Sequence, residues 1–260
     1  MLGPTSNADR LAGFGGILNR LTKLRLIVPG ASGEVKKSRP SPAVYNPPPS
    51  GRDATESHGS RKANGGEATD GGMVRVTGGM ARGRRLEGPQ GIRIRPTSDR
   101  VREAIFDILG ARVRGGHFLD AYAGTGAVGV EALSRGAHHV VFIERDRRAR
   151  ELIEANLSLG PWQDSNEIIA SDVKAAIPVL ARCRTRFSVA FLDPPYDDRE
   201  AAANIPSLGQ LLLPGGVLVI EHRTGLGLAA PEAQLHPGRS YRYGDTTLTL
   251  LHRGPVRGRS

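Results

Sequence analysis

Residues 192–196 read Leu-Asp-Pro-Pro-Tyr and follow directly on the apolar run Phe187-Ser188-Val189-Ala190-Phe191. Such a run reads as a buried strand, yet it stops at a carboxylate, two prolines and an aromatic ring. The cluster suits the capture of a planar amine. An exocyclic amino group on a nucleobase is a poor nucleophile, because its lone pair is delocalised into the ring. To react, it needs acceptors that hold both N–H bonds and draw the nitrogen toward tetrahedral geometry. Asp193 can supply one acceptor and take the departing proton. The carbonyl of Pro194 can supply the second. Pro194 and Pro195 have a fixed φ and no N–H, so they form a stiff turn that presents acceptors without competing donors. Tyr196 offers a face for the base to stack on, worth about 1–3 kcal/mol. The bland alternative is an ordinary proline turn after a strand.

A second stretch, "LDAYAGTGAVGVEAL", carries Gly124-x-Gly126-x-x-Gly129, with Glu144 at the end of the next apolar run. That spacing fits a nucleotide-like ligand bound where a strand turns into a helix, with an acid on the ribose hydroxyls. By itself it does not separate NAD from S-adenosylmethionine. Asp120, just before the loop, would repel a pyrophosphate and suits a cationic amino-acid group. S-adenosylmethionine carries no phosphate, so the loop need only let the backbone approach closely. Asp172, after "IIAS", could accept a bond from an adenine amino group, with the Val173 N–H beside it. Equally, Asp172 could simply cap a helix, Glu144 could pair with Arg145 or Arg147, and the loop could be a glycine turn without a ligand.

These residues need a scaffold, and the chain alternates the required signals. "SDRVREAIFDILG" sets Val101, Ala104, Ile105, Ile108 and Leu109 on one helical face, with Thr97 or Ser98 as cap and Gly110 as stop. Strand and helix then alternate: "HFLDAYAG", "AVGVEALSRG", "HHVVFIE", "RDRRARELIEANLSLG", "NEIIASD", "VKAAIPVLARC" and "FSVAFLD". A helix near 201–213, the strand "GGVLVIEH" and a hairpin around Gly244-Asp245 complete the pattern. Near-continuous apolar strands alternating with helices predict a doubly wound α/β sheet covered on both faces. Ligands of such sheets bind outside the carboxyl ends of the strands, where every polar cluster above falls.

The first 72 residues are rich in Pro, Gly, Ser and charge, and are expected to be disordered. Met73 stands at the boundary as a candidate start. The single cysteine excludes an internal disulfide framework. No apolar run approaches the length of a membrane span, and no secretory signal is evident. Histidines and Trp162 show no metal-ligand spacing, so no metal is expected. The chain of 260 residues carries a net charge of +10, which points to a polyanionic partner. Arg75, Arg82, Arg84, Arg85, Arg93, Arg95, Arg100 and Arg102 precede the glycine loop against only Glu87 and Asp99, an arrangement suited to phosphate contacts. A solvated basic face is the alternative.

In order, "VRVTGGMARGRRL", "RPTSDRVREAIFDIL", "DAYAGTGAVGVEALSRGA", "VFIERD" and "FLDPPY" resemble the RsmD family, S-adenosylmethionine-dependent methyltransferases that modify guanine N2 in small-subunit (16S) ribosomal RNA. The resemblance spans 73 to about 253. It implies the seven-stranded Rossmann-like methyltransferase sheet over 97–254, preceded by a basic β arm at 73–96, with RNA contacts at Arg82, Arg84, Arg85 and Arg95 of the arm and at Arg100 just after it. It implies a cofactor site of Asp120, Ala123, Gly124, Thr125, Gly126, Glu144, Arg145, Asp172 and Val173, with Asp193, Pro194, Pro195 and Tyr196 on the target base. Tyr122 stands where related loops often carry phenylalanine. The implied protein is a cytoplasmic monomer acting on 16S rRNA, free or in an assembling subunit. Two other classes stay open: a DNA or RNA methyltransferase for adenine N6 or cytosine N4, and a non-catalytic RNA-binding assembly protein.

Overall fold

Short apolar runs hide both of their faces only by pairing side by side under helices. The computed structural model describes residues 74–88, 99–195, 201–226 and 234–255. In it β1 (His117–Ala121), β2 (His139–Ile143), β3 (Asn166–Ile169), β4 (Phe187–Leu192) and β5 (Leu212–Arg223) pair in parallel. The hairpin of β6 (Leu235–Tyr243) and β7 (Thr246–Arg253) adds antiparallel strands, giving the order β3-β2-β1-β4-β5-β7-β6. Side chains alternate between two cores. Phe118, Phe142, Val189, Phe191, Val217 and Val219 face α1 (Asp99–Leu109), α2 (Ala127–Ser134) and α3 (Arg147–Leu157). Leu119, Val141, Ile143, Ala190, Leu218 and Ile220 face α4 (Val173–Arg182) and α5 (Ile205–Leu211). The seven-stranded doubly wound sheet is therefore as the sequence pattern and the resemblance imply.

Differences are local. The helix expected near 201–213 divides into a 3-10 turn, Ala202–Asn204, and α5, whose first turn holds Pro206. A proline without an N–H fits a first turn and interrupts a longer helix. β5 begins earlier than expected because Leu212 already pairs with Phe187, ahead of a register shift. On α1 the buried residues are Val101, Arg102, Ile105, Phe106 and Leu109, so Arg102 and Phe106 take the place expected for Ala104 and Ile108. Arg102 was counted above among phosphate-binding arginines, and the structure corrects this. The helical period turns it inward, where it is fully buried. Thr97 and Ser98 lie outside the described residues.

Arg102 is buried because Glu131 of α2 is there to meet it. The Glu131 carboxylate, itself fully buried, accepts bonds from Thr77 N (2.7 Å), Thr77 Oγ1 (2.8 Å), Gly78 N (2.7 Å) and Arg135 Nε (2.8 Å), with Arg102 Nε at 3.5 Å. Arg102 also binds Asp99 Oδ1 (2.8 Å) and the carbonyl of Arg75. Ser134 adds two bonds, accepting from Ala81 N (2.9 Å) and donating to the Gly78 carbonyl (2.6 Å). Residues 74–88 thus fold back on themselves through the Arg75–Arg85 bridge and dock on α2, with Val76, Ala81 and Leu86 in the first core.

Replacing Glu131 with Ala leaves a buried guanidinium without its main counter-charge, which costs about 3–5 kcal/mol. A matching fall in the urea midpoint is expected, with faster tryptic cleavage at Arg82 to Arg85. An unchanged midpoint with a protected hairpin would show that Glu131 holds nothing.

Candidate active site

The strand order changes direction between β1 and β4, and the crevice outside their carboxyl ends is where such sheets bind ligands. Four carboxyl groups converge on that edge. Asp120 is the fourth residue of β1, Glu144 follows β2, Asp193 follows β4, and Glu221 lies near the end of β5. Asp120 is in register with Phe191, and Leu192 with Ile220. Asp193 and Glu221 therefore follow side by side, on the sheet face that carries Asp120. All four acids share the face of the first core.

Crowded carboxyl groups cannot all ionise cheaply. Burial, opposed by the Gly129 N–H bond and aided by the Glu144 charge, pushes the Asp120 carboxyl up to about 8. Asp193 is raised well above the ordinary carboxylate range by withdrawal from water, then by Glu221 and Asp120. The residue as a whole is only half-buried, but its carboxyl is the shielded part.

The glycine loop connects β1 to α2. Gly126 caps the helix with φ 74, a left-handed value that a side chain would strain. Gly129 brings α2 against β2: a Cβ there would meet Phe142 at 2.1 Å. Asp120 Oδ2 accepts from Gly129 N at 2.8 Å, satisfying one of the free N–H groups of the first helical turn. Gly124 does something else. Its N–H donates to Glu144 Oε2 at 2.8 Å, and a Cβ there would meet nothing within 4 Å, so space opens above it. Glu144 Oε1 accepts from Asp146 N at 2.8 Å, so this acid sets the loop and is bonded to backbone, not to Arg145 or Arg147.

Of the remaining expected residues, Ala123 is buried and Thr125 is half-buried. Asp172 caps α4 by accepting from Lys174 N at 2.8 Å, and Val173 opens that helix. Arg145 is exposed, with its carbonyl bonded to Arg150. Arg82, Arg84, Arg85 and Arg100 are exposed, but the Arg84 guanidinium is bonded to the Leu159 carbonyl. Trp162 is a core residue. Tyr196 and Arg95 lie outside the described residues.

Two residues, Glu221 and Asn156, escaped the sequence reading, and Tyr122 has a conformation that it did not foresee. Glu221 was hidden near the end of "VLVIEH", where a lone acid after an apolar run reads as a solvated strand end. Asn156 of α3 donates to the Thr125 carbonyl (2.9 Å) and the Glu87 carbonyl (3.0 Å) and accepts from Glu87 N (2.7 Å), tying hairpin to glycine loop. A polar side chain on the inner face of "LIEANL" was the available signal. Tyr122 adopts φ 65, an uncommon conformation for a non-glycine residue, and its hydroxyl accepts from Asn204 Nδ2 at 3.4 Å. Among the described residues no acid, histidine or cysteine group is arranged to hold a metal, and no helix is long and apolar enough to cross a membrane.

Fold and site together define the class: this is the Rossmann-like α/β fold of S-adenosylmethionine-dependent methyltransferases. The profile of the family described as Conserved hypothetical protein 95 matches residues 74–252, and the chain belongs to that family, the RsmD family. YlbH of Bacillus subtilis is 34% identical over 179 residues, covering 68% of this chain and 97% of its own. The Haemophilus influenzae protein named Ribosomal RNA small subunit methyltransferase D is 31% identical over 163 residues, covering 62% of this chain and 84% of its own. The solved Escherichia coli protein yhhF superposes with a TM-score of 0.61 at 32% identity, over 70% of this chain and 99% of that one.

Asp120 offers a test by pH. Its folded value lies above its ordinary 3.8, so the stability it contributes is full below that value and is lost as pH rises through about 8. Asp120→Asn keeps an acceptor for Gly129 without the ionisation cost. Its melting temperature is expected to gain on the parent's progressively across that window, while S-adenosylmethionine affinity falls in calorimetric titration. A constant gap across the window would show that the carboxyl does not titrate there.

Proposed function

We propose that this protein transfers a methyl group from S-adenosylmethionine to the exocyclic N2 amino group of a guanine in small-subunit rRNA. The observation that carries this reading is the placement of Asp193-Pro194-Pro195 at the carboxyl end of β4, directly across the switch point from Asp120 and the glycine loop. The name of the Haemophilus influenzae relative supports small-subunit rRNA as the substrate class.

The residues present fit the cofactor. Open space over Gly124 admits a ligand against the loop backbone. Glu144 is bonded once through each oxygen, and a carboxylate has about four lone-pair sites, so ribose hydroxyls can still donate to it. Asp120 lies where a cationic ammonium would draw the proton from its raised carboxyl. Gly124 and Gly126, with Ala123 and Thr125 of the same loop, are assigned to the methionine end, Glu144 and its neighbour Arg145 to the ribose, and Asp172 and Val173 to the adenine. When bound, S-adenosylmethionine supplies an electrophilic methyl on a positively charged sulfur.

The chain's own work lies on the amine. Asp193 accepts one N–H and the Pro194 carbonyl accepts the other, which localises the nitrogen lone pair toward the methyl. As the new N–C bond forms, the methyl–sulfur bond would break with its electron pair left on the sulfur, and the nitrogen becomes cationic and releases one proton to Asp193. A base whose proton affinity has been raised above the ordinary carboxylate range suits that transfer. Pro195 stiffens the turn, and Tyr196 is assigned to stacking on the base.

Incubating the protein with labelled S-adenosylmethionine and rRNA, naked or in small subunits, and then identifying the methylated nucleoside tests the proposal. N2-methylguanosine is expected; N6-methyladenosine or N4-methylcytidine would overturn the assignment. Asp193→Ala is expected to slow methyl transfer by on the order of 10²-fold or more while cofactor affinity stays within a few-fold. A fully active variant would remove Asp193 from the chemistry.

Arg82 and Arg85 on the hairpin, with Arg100, are assigned to phosphates. Replacing Arg82 and Arg85 with Ala is expected to reduce the salt slope of RNA binding by about 1.4–1.8, from roughly 0.7–0.9 per contact. Arg84 is left in place because it serves the Leu159 carbonyl. An unchanged slope would place the RNA elsewhere.

A further inference from the structure

Glu221 is a carboxylic acid in a strand that is otherwise apolar where it crosses the core. It is 5% exposed, and it lies beside Asp193 where β5 runs parallel to β4. The same strand buries Val217, Leu218, Val219 and Ile220, and its neighbour in β7 is Leu248. With Leu192 in register with Ile220, Asp193 and Glu221 bring two carboxyl groups together on one face where the paired strands end. Glu221 also raises the Asp193 carboxyl.

Guanine has the Watson–Crick edge that repays this arrangement. Its N1–H donor sits directly beside the N2 amino group, so two neighbouring acceptors can be used at once. Adenine and cytosine place a bare ring nitrogen beside their amino groups, and a bare nitrogen facing a carboxylate is repelled. Neighbouring strands lie about 4.8 Å apart, a spacing at which two carboxyl groups can reach adjacent donors on one base edge. We propose that Glu221 accepts the N1–H of the target guanine while Asp193 holds its amino group, so that Glu221 is the residue that selects guanine. This inference rests on the guanine-N2 reading and gives it a structural cause. A site built to use a donor discriminates strongly against an analogue that lacks it.

Among the described residues, the charged groups facing Asp193 are Glu221 from β5 and Asp120 from β1, with Glu144 from β2 acting on Asp120. Removing the Glu221 charge therefore lowers the Asp193 value and moves the acidic limb of the kcat/KM profile to lower pH.

The test uses the full chain and Glu221→Gln, once the methylated nucleoside and its position are known. RNA is prepared with 2-aminopurine at that position, which keeps the amino group but has no N1–H. The parent protein is expected to prefer guanine by on the order of 10²-fold or more in kcat/KM. A glutamine amide can accept from N1–H or, turned over, donate to bare N1, so the variant's preference is expected to narrow at least tenfold. 2-Aminopurine fluorescence, which rises when the base leaves the stack, gives a readout without cofactor: the variant is expected to hold the analogue more tightly than the parent. Cofactor affinity within a few-fold of the parent's certifies the fold. If Glu221→Gln fails to fold, Glu221→Asp is expected to keep the guanine preference at lower kcat/KM, and a lost preference there would overturn the proposal. Guanine methylated on N2 with an unchanged preference in Glu221→Gln sinks this inference alone, whereas a methylated adenine or cytosine sinks the underlying reading.

Discussion

One buried carboxylate, that of Glu131, holds the first layer of the molecule together. It stands in the middle of α2, yet its partners come from the hairpin (Thr77 and Gly78), from α1 (Arg102) and from its own helix (Arg135). A buried anion must be surrounded by donors, and here the donors belong to segments that would otherwise drift. Arg135 is fixed a second time, over the ring of Phe106 at 5.0 Å. The hairpin is therefore a part of the folded layer, with its orientation set by α2. Because α2 begins at Gly126, the same helix that carries Glu131 also follows directly on the glycine loop.

The consequence is a mechanical connection between the basic hairpin and the glycine loop. Asn156 closes it from the other side, holding Glu87 and the Thr125 carbonyl with a single side-chain amide. The hairpin and the glycine loop thus share two supports, Glu131 and Asn156, which fix the distance between the exposed arginines and the crevice at the strand ends.

Much of this was legible in the sequence, because the signals were local. Strand and helix alternation follows from apolar periodicity, and the glycine spacing and the Asp-Pro-Pro turn are short motifs with their own mechanics. Gly129 could be read from spacing because its role, close packing on Phe142, is part of the motif. Arg102 could not be read. In sequence it is one arginine among eight on a basic arm, and only the burial of Glu131, 29 residues later, makes it a core residue. Glu221 was illegible for the converse reason, since a lone acid at the end of an apolar run looks like a solvated strand end. Its meaning comes from β4, which is distant in sequence and adjacent in the sheet. Asp120 was noticed, but its raised carboxyl depends on burial and on Glu144 from the next strand.

The sheet carries an electrostatic polarity that shapes how a polyanion can use it. At the amino ends of β1 and β2 lie His117, His138 and His139; burial and mutual repulsion lower His117, and push His139 down to about 4, so both are neutral near pH 7. At the carboxyl ends lie Asp120, Glu144, Asp193 and Glu221. An acidic crevice attracts a sulfonium, an ammonium and an amino group, and it repels phosphates. A nucleic acid can reach it only if the backbone is held elsewhere while one base is splayed inward, the usual manner in which single-stranded RNA bases are recognised. Arg82 and Arg85 of the docked hairpin are exposed and carry the opposite charge. With Asp120 and Asp193 both raised, the empty crevice also carries less negative charge than its four acids suggest, so a base can enter before the full repulsion is felt. With the cations on the hairpin and the acids at the strand ends, one small domain keeps its two signs of charge on separate faces, and neither screens the other.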